Sequence, residues 1–270
     1  MKQIKKTKKP NKTQLAKQME VSRSSLYYKS KMDIKDQIIK EQILSVLRDH
    51  PAYGHRRIAL HLGSNKKRIL RIMKKFGIKP LKIRRFKPIK KGDLGLVPLK
   101  HKNWLKLLCP IKPNVFWAAD FTYLWFKGRF YYLATIIDIY TREIVGIAIG
   151  SHHNKELILQ ALNDALKRRA PPIYIHSDQG SEYQSEIYTN FAESLGCILS
   201  FAGKGKPWEN GFQESFYSQF KLELGHLSAF DDLGQLIEAI YCQIHYYNHK
   251  RIHSRLKMSP AMYARKHSRD

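Results

Sequence analysis

The stretch VFWAADFTYLWF, residues Val115–Phe126, places a single carboxylate, Asp120, in the middle of an apolar and aromatic run. This composition predicts a β-strand that is largely buried in a sheet. A charged side chain in such a strand is costly unless a partner or a cation compensates its charge. We therefore expect Asp120 to belong to a functional site.

Two more acids lie in comparable positions. Asp178 directly follows the apolar run Pro172–Ser177, which predicts a second strand. Glu214 comes after a further 35 residues, on the predicted helix Asn210–Leu224 and among aromatic neighbours. Clustered interior acids usually neutralise a cation, and carboxylate oxygens favour Mg²⁺ or Mn²⁺. Two such ions about 3.5–4 Å apart are a common device for in-line phosphoryl transfer.

The residues around the three acids carry a family resemblance. WAADFTY surrounds Asp120, HSDQGSEY surrounds Asp178 and NGFQESF surrounds Glu214. Their order, their spacing and their flanking residues resemble the DDE transposases and retroviral integrases, in particular the second reading frame of family-three insertion-sequence transposases. The likeness covers most of the chain, from Val21 to Tyr263.

The resemblance implies a fold, a site and an activity. The fold would be an α/β, ribonuclease-H-like integrase catalytic core preceded by small all-α helix-turn-helix DNA-binding units. In the site, Asp120 would bridge two Mg²⁺ or Mn²⁺ ions, Asp178 would hold the first and Glu214 the second. The activity would be that of a DNA transposase, which binds the terminal inverted repeats of an insertion sequence, nicks its 3′ ends and transfers them to another phosphodiester.

The resemblance also implies partners. These are double-stranded DNA, as element ends and as target, and further copies of the chain assembled on that DNA. Many relatives work as a fusion with an upstream reading frame, so the product of such a frame is a further expected partner.

The excess of positive over negative charge is confined to the N-terminal part of the chain. Residues 1–113 contain 32 Lys and Arg against 6 Asp and Glu, whereas the remainder contains 17 against 16. A segment of this charge is expected to bind a polyanion, and nucleic acid is the first candidate. A membrane surface is a weaker candidate, because basic membrane helices need a clean apolar face with anchoring aromatic residues.

Hydropathy and cysteine usage narrow the class further. The sequence has no apolar run of about 18 residues and no signal-peptide pattern. Its three cysteines are isolated from one another, which argues against a disulfide framework or a Cys-rich zinc site. We therefore expect a cytoplasmic protein with reduced thiols and no membrane partner, and the family resemblance implies the bacterial cytosol, in association with the nucleoid.

Periodicity and composition divide the chain into six segments. We predict a basic tail (1–11), a helix-turn-helix-like unit (12–48), a second helical DNA-binding unit (49–80), a basic linker (81–113), the catalytic core (114–225) and a C-terminal helix and tail (226–270). The strands expected in the core are Val115–Phe126, Phe130–Ile137, Glu143–Gly150, Pro172–Ser177 and Ile198–Ala202. The helices expected there and after it are Asn154–Arg169, Tyr183–Leu195, Asn210–Leu224 and Leu233–Asn248.

The helical units contain the candidate DNA contacts. Ser64 is the expected cap of a helix over Asn65–Phe76, in which an apolar stripe lies opposite a basic face. The DNA-binding candidates are Arg56, Arg57, Lys66, Lys67, Arg68 and Arg71. Thr13–Tyr28 predicts a shorter pair of helices, the second capped by Ser22, for which DNA binding and simple packing both stay open.

Three residues near the acids have two interpretations each. Lys221 lies two helical turns after Glu214, where it either grips the DNA backbone or is a solvated helix lysine. Asn210 either orients the Glu214 carboxylate or caps its helix. His176 either contacts the scissile strand or is a satisfied core histidine.

Three other acids and the C-terminal motif are weaker indicators of a functional site. Asp138 is expected to form a turn, Glu209 to begin a helix, and Glu223 to lie too far along the helix to share ions. The relatives usually have Asp at position 209 and Ala at position 211. At the C-terminal motif that begins with Tyr246–Ser254, two interpretations stay open: either Arg251, His253 and Arg255 contact DNA, or Tyr246 and His253 pack the last helix on the core.

Two rival functions remain at this stage. One is a catalytically dead DNA-binding regulator derived from a transposase, against which the intact set of three acids argues. The other is a plain ribonuclease-H-type nuclease without strand transfer. The long basic N-terminal part disfavours that nuclease, because unspecific cleavage has little use for it.

Overall fold

A computed structural model describes residues 11–28, 31–82, 102–203 and 205–267. The centre of the C-terminal part is a five-stranded mixed sheet in the order β3-β2-β1-β4-β5. Its strands are β1 (Phe116–Phe126), β2 (Arg129–Asp138), β3 (Ile144–Gly150), β4 (Tyr174–Ser177) and β5 (Ile198–Phe201). The first three strands form an antiparallel meander, and β4 and β5 continue the sheet in parallel from β1. All five strands match the predicted ones to within a few residues.

Ten α-helices surround or precede this sheet in the described ranges. They are α1 (Lys12–Gln18), α2 (Lys31–Asp49), α3 (His55–His61), α4 (Lys66–Lys75), α5 (Trp104–Leu107), α6 (Lys155–Leu166), α7 (Glu186–Ser194), α8 (Gly211–Leu224), α9 (Leu233–His249) and α10 (Pro260–His267). None of these helices is long and apolar enough to cross a membrane.

The two faces of the sheet build two cores. Trp117 and Ala119 of β1 pack with α6 and α7, whereas Phe116 and Ala118 pack with α8 and α9. This division follows from the alternation of side chains along a strand. By the same alternation, Asp120 lies on the face that α8 covers.

One glycine sets the distance between the sheet and α6. A Cβ atom on Gly146 of β3 would lie 2.3 Å from the carbonyl oxygen of Ala161 and 2.8 Å from the Cβ of Ala165. No side chain fits there, so α6 rests directly on the backbone of β3. Asn154 begins this helix, because its side chain accepts a hydrogen bond from the Leu157 amide.

The second helical unit has a core of its own. Helices α2, α3 and α4 enclose Ile43, Tyr53, Ile58 and Ile69, all completely buried. The predicted cap of α4 was wrong by one position: the Asn65 side chain, not that of Ser64, accepts a hydrogen bond from the Lys67 amide. Asn and Ser are equally good caps, so the choice depended on where the preceding turn ended.

Other predictions need correction. The second helix of the N-terminal pair is only a four-residue 3₁₀ turn, Arg23–Leu26, although Ser22 does cap it. Helix α5 lies in the segment predicted as linker, where the Asn103 side chain caps it and Trp104 lies against Tyr174. The last helix, α10, was not predicted. The basic tail and most of the linker fall in residues 1–10 and 83–101, outside the described residues.

The C-terminal motif joins the helical unit to the core. The Tyr246 hydroxyl and His50 Nδ1 lie 2.7 Å apart in a hydrogen bond, and the Ile252 amide donates to the Tyr53 hydroxyl at 2.7 Å. Between these contacts, Arg251 is almost completely buried and pairs with Glu223 of α8 at 2.7 Å. Packing contacts therefore explain much of the C-terminal motif from Tyr246 to Ser254.

Candidate active site

The register of the sheet aligns Asp120 and Asp178. The parallel ladder pairs Trp117 with Ile175 and Ala118 with His176. The same offset, continued by two residues, brings Asp178 beside Asp120 on the neighbouring strand, and adjacent strands are about 4.8 Å apart. Asp178 follows the end of β4 and is exposed, whereas Asp120 is half-buried within β1.

Helix α8 carries Glu214, and Gln213 fixes this helix to the sheet. The buried Gln213 amide donates to the carbonyl of Ala118 at 2.6 Å and to that of Thr135 at 3.0 Å. Its side-chain oxygen accepts a hydrogen bond from the Thr135 hydroxyl at 3.0 Å. Both donors and one acceptor position of this side chain are thus used on β1 and β2.

Tyr217 repeats this attachment one helical turn later. Its hydroxyl donates to the main-chain carbonyl of Asp120 at 2.7 Å and lies 2.8 Å from the Thr135 hydroxyl. Residues four apart lie on the same helix face. Gln213 and Tyr217 therefore hold one face of α8 against the sheet, and Glu214 projects beside that face. The motif-based prediction missed this pair, although Gln and Tyr four apart around Glu214 were a visible signal.

The three acids influence one another. Burial, followed by the charges of Asp178 and Glu214, raises the pKa of Asp120 to about 7. Within the described residues, none of the three carboxylates forms an ion pair with Lys, Arg or His. The site therefore concentrates uncompensated negative charge, which suits a divalent cation.

The donor set consists only of hard oxygen atoms. Such ligands fit Mg²⁺ or Mn²⁺ and not softer metals. Over the described ranges, no three His, Cys, Asp or Glu side chains have already converged into a closed ligand set. Asp178 and Glu214 are both exposed, whereas Asp120 is half-buried.

Asn210 borders the same site. Its side chain does not cap α8, so that interpretation was wrong. Its Oδ1 atom is buried and, among the described residues, has no hydrogen-bond partner. Asn210 and Asp178 line a common cleft of about 340 Å³, together with Lys206, which the sequence interpretation had not singled out.

His176 is a core residue. Its side chain is completely buried, and Nδ1 forms a 2.9 Å hydrogen bond with the Ser200 hydroxyl of β5. Burial lowers the pKa of His176 to about 4, so that the ring is neutral near pH 7. A contact with the scissile strand is incompatible with this burial.

The rival acids have other partners. The Asp138 carboxylate accepts hydrogen bonds from the backbone amides of Asn114, Tyr140 and Thr141, which confirms its role in a turn. Glu209 lies in the 3₁₀ turn before α8, and its carboxylate binds Lys106 at 2.7 Å and the Gly203 amide at 2.8 Å. These contacts remove both acids from the metal-ligand candidates.

Lys221 lies farther along α8, at the β1–β2 hairpin. Its Nζ atom is 4.7 Å from the centre of the exposed Tyr123 ring. Burial lowers the pKa of Lys221, so this lysine is not a freely solvated one.

The basic face of α4 is partly committed to internal contacts. Lys66, Lys67 and Arg68 are exposed. Arg71, in contrast, binds the buried Asp36 of α2 through two hydrogen bonds, at 2.5 and 2.8 Å. On α3, Arg56 is exposed, whereas Arg57 is turned towards the core and donates to the Ser254 hydroxyl at 3.2 Å.

Comparison with protein families and solved structures agrees with this architecture. Two family models, both described as integrase core domain, match residues 110–207 and 195–260. The catalytic core domain of HTLV-2 integrase, solved in complex with magnesium, has a TM-score of 0.50 at 19% identity and covers 57% of this chain and 98% of its own. A chain of the simian T-cell lymphotropic virus intasome, solved in complex with PP2A regulatory subunit B56 gamma, has a TM-score of 0.53 at 18% identity and covers 81% of this chain and 73% of its own.

Similar proteins of bacterial insertion sequences cover nearly the whole chain. The 31 kDa protein of insertion element IS600 from Shigella sonnei is 33% identical over 86% of this chain and 89% of its own. The transposase of IS904 from Lactococcus lactis is 32% identical over 84% of this chain and 93% of its own. The putative transposase InsK of IS150 from Escherichia coli is 29% identical over 93% and 92%.

The fold defines a protein of the retroviral integrase superfamily, with a ribonuclease-H-like core. Within that superfamily, the chain belongs to the DDE transposases of bacterial insertion sequences. It is accordingly a DNA-acting enzyme of the transposase and integrase class.

Proposed function

We propose that Asp120, Asp178 and Glu214 hold two Mg²⁺ or Mn²⁺ ions, and that this transposase nicks the 3′ ends of its own element and joins them to another phosphodiester. The observation that carries this proposal is the placement of Asp120 beside Asp178 in the sheet, where the charges of Asp178 and Glu214 both act on it. The attachment of α8 to β1 and β2 through Gln213 and Tyr217 supports it further.

Each residue has a defined part in this reaction. When bound, the ions would activate the attacking water or 3′-hydroxyl and stabilise the leaving 3′-oxygen. Asp120 and Asp178 would hold their oxygen atoms side by side on the neighbouring strands β1 and β4, and Glu214 would complete the set from α8. The orphaned Oδ1 of Asn210 would accept a hydrogen bond at the border of the site. Lys221 would contact the DNA backbone on the Tyr123 side.

DNA recognition belongs to the N-terminal part in this proposal. The strong positive charge of residues 1–113 supports binding of the terminal inverted repeats, with Lys66, Lys67 and Arg68 on the exposed face of α4. We extend the proposal to copies of the chain assembled on DNA, and to an upstream-frame product as fusion or partner. The fold shared with a chain of a viral intasome is in keeping with such assemblies.

Metal-dependent strand transfer on an element-end duplex tests the proposal. The duplex is taken from the DNA that flanks the gene. Asp120→Asn, Asp178→Asn and Glu214→Gln are each expected to abolish nicking and joining in Mg²⁺, because each removes a ligand oxygen without changing shape. DNA binding should survive in all three variants. Glu186→Gln, which changes an exposed acid on α7, is the matched control and should retain activity.

The outcomes separate the rival functions. Nicking without joining by the wild-type protein would identify a nuclease, and binding without either step would identify a catalytically dead regulator. Near-normal cleavage by any one of the three acid variants would remove that residue from the ligand set.

A further inference from the structure

A cavity of about 530 Å³ lies where the second helical unit meets the core, and its walls are rich in arginine. Arg57 comes from α3, Arg142 from the turn between β2 and β3, and Arg251 and Arg255 from the C-terminal motif. No Asp or Glu is among the residues that line it. Three separate parts of the chain thus contribute positive charge to one space.

Arg142 is the most unusual of these residues. It is 6% exposed, and its Nε and Nη1 atoms are buried without a hydrogen-bond partner in the described part of the chain. The guanidinium lies 4.0 Å from the centre of the Phe212 ring, which leaves its edge free for acceptors. The backbone at Arg142 has a φ of +64°, a strained conformation for a non-glycine residue. A buried, unpartnered and strained arginine is costly unless something binds it.

The charges in the cavity are unbalanced. Arg251 is the one arginine of the four that forms an ion pair within the described ranges, with Glu223. Burial and then the charge of Arg255 lower the pKa of Arg142 to about 10. Burial and then Arg142 lower the pKa of His253 to about 4, and the buried Nδ1 of His253 also lacks a partner. A group that brought negative charge and acceptor oxygens would relieve this repulsion.

We propose that this cavity binds a phosphate group of the DNA backbone. The planar fork of a guanidinium matches two oxygens of a phosphate, and the hydroxyls of Ser215 and Ser254 line the same space. The proposal rests on the proposed function insofar as the substrate is DNA.

The position of the cavity favours a DNA phosphate over a free anion. Arg57 of the basic helical unit lines one side, and the first turn of α8, next to Glu214, lines another. Trp208, 69% exposed, lies at the edge and offers a flat surface to a base or sugar. A strand held here would run from the helical unit towards the active site.

The first experiment measures DNA affinity as a function of salt, without divalent ions. The variants are Arg255→Gln, which changes an exposed side chain, Arg142→Gln and Arg142→Lys, and thermal melts confirm that each is folded. A 40-base-pair element-end duplex is titrated over a range of NaCl concentrations. Loss of one phosphate contact should reduce the slope of log K against log salt by about 0.9. Arg168→Gln, on the far side of the sheet, is the control and should keep the wild-type slope.

The second experiment locates the phosphate. Methylphosphonate is placed at one backbone position at a time, which removes a single charge. One position should weaken wild-type binding several-fold and have no further effect in Arg142→Gln, because the contact is already lost. Arg142→Lys, which keeps the charge, should still respond at that position. Additive losses at every position would overturn the proposal.

Inorganic phosphate distinguishes a DNA site from a site for free anions. If calorimetry detects phosphate binding that Arg142→Gln abolishes, while the salt slopes on DNA are unchanged, the cavity takes a free anion and the proposal is wrong. Unchanged salt slopes without phosphate binding also overturn it. These measurements need neither divalent ions nor catalysis, so failure of the proposed chemistry would be seen separately.

Discussion

The side-chain amide of Gln213 donates a 2.6 Å hydrogen bond to the main-chain carbonyl of Ala118, two residues before Asp120. This contact ties the helix that carries Glu214 to the strand that carries Asp120. Gln213 is completely buried, so water cannot replace it. The distance between Asp120 and Glu214 therefore depends on Gln213, which is not itself an acid.

Replacing Gln213 by leucine should test this dependence. Gln213→Leu leaves the carbonyls of Ala118 and Thr135 without the amide donor, and each unpaired buried group costs about 1–3 kcal/mol. We expect at least a tenfold loss of strand transfer and a higher Mg²⁺ concentration for half-maximal activity, with DNA affinity unchanged. Gln160→Leu, on the exposed face of α6, is the control. An unchanged Mg²⁺ requirement would show that Gln213 stabilises the fold without positioning Glu214.

Gly146→Ala should destabilise the core. The added methyl group would meet the Ala161 carbonyl at 2.3 Å, and overpacking of this kind costs about 1–3 kcal/mol. Gly211→Ala is the matched control, because nothing lies within 4 Å of its added Cβ and its φ is −59°. At that helical position alanine is favourable by under about 1 kcal/mol. Chemical denaturation of both variants measures the two effects, and equal stability would contradict the close contact of α6 with β3.

The contact between the helical unit and the core should weaken in acid. Burial, and then the charge of His61, lowers the pKa of His50, whose ring stacks on Tyr53 and bonds the Tyr246 hydroxyl. The pKa of His50 in the folded protein lies below its unfolded value of about 6.5. The stabilisation that neutral His50 provides is therefore complete above that unfolded value and is lost as the pH falls through the folded pKa.

The comparison with a non-titrating variant isolates this effect. Between about pH 7.5 and pH 5.5, on either side of the unfolded histidine pKa, the free energy of unfolding should fall more for the wild type than for His50→Gln. Parallel pH profiles of the two proteins would show that His50 does not contribute to the pH dependence.

The basic residues of α4 should fall into distinct groups. Among Lys66→Ala, Lys67→Ala and Arg68→Ala, a variant that loses a base contact should lose about 1–3 kcal/mol of preference for the terminal repeat over scrambled DNA. A variant that loses a phosphate contact should weaken binding to both DNAs equally. Arg71→Ala should instead lower the melting temperature, because the Arg71 guanidinium, followed by Lys75, holds the pKa of buried Asp36 well below its usual range. Competition binding and thermal melts separate these cases, and four identical variants would indicate an unspecific clamp.

The sequence by itself determined where the strands and main helices of the core lie and which of them carry the three acids. Alternating and helical periodicities located all five strands and the main helices of the core, because each depends on residues that are close along the chain. The positions of Asp120, Asp178 and Glu214 in these elements were predictable for the same reason. The concentration of positive charge before residue 114 required only counting.

Only the tertiary structure decided which side chains meet. Gln213 and Ala118 are 95 residues apart in the sequence, and Ile252 and Tyr53 are 199 apart. Packing likewise buried His176, committed Arg71 to Asp36 and brought Arg142 to a cavity shared with Arg57 and Arg255. Periodicity specifies the face on which a side chain lies but not its partner there. The partner depends on how whole elements pack, and that packing minimises the free energy of the entire chain rather than of any segment.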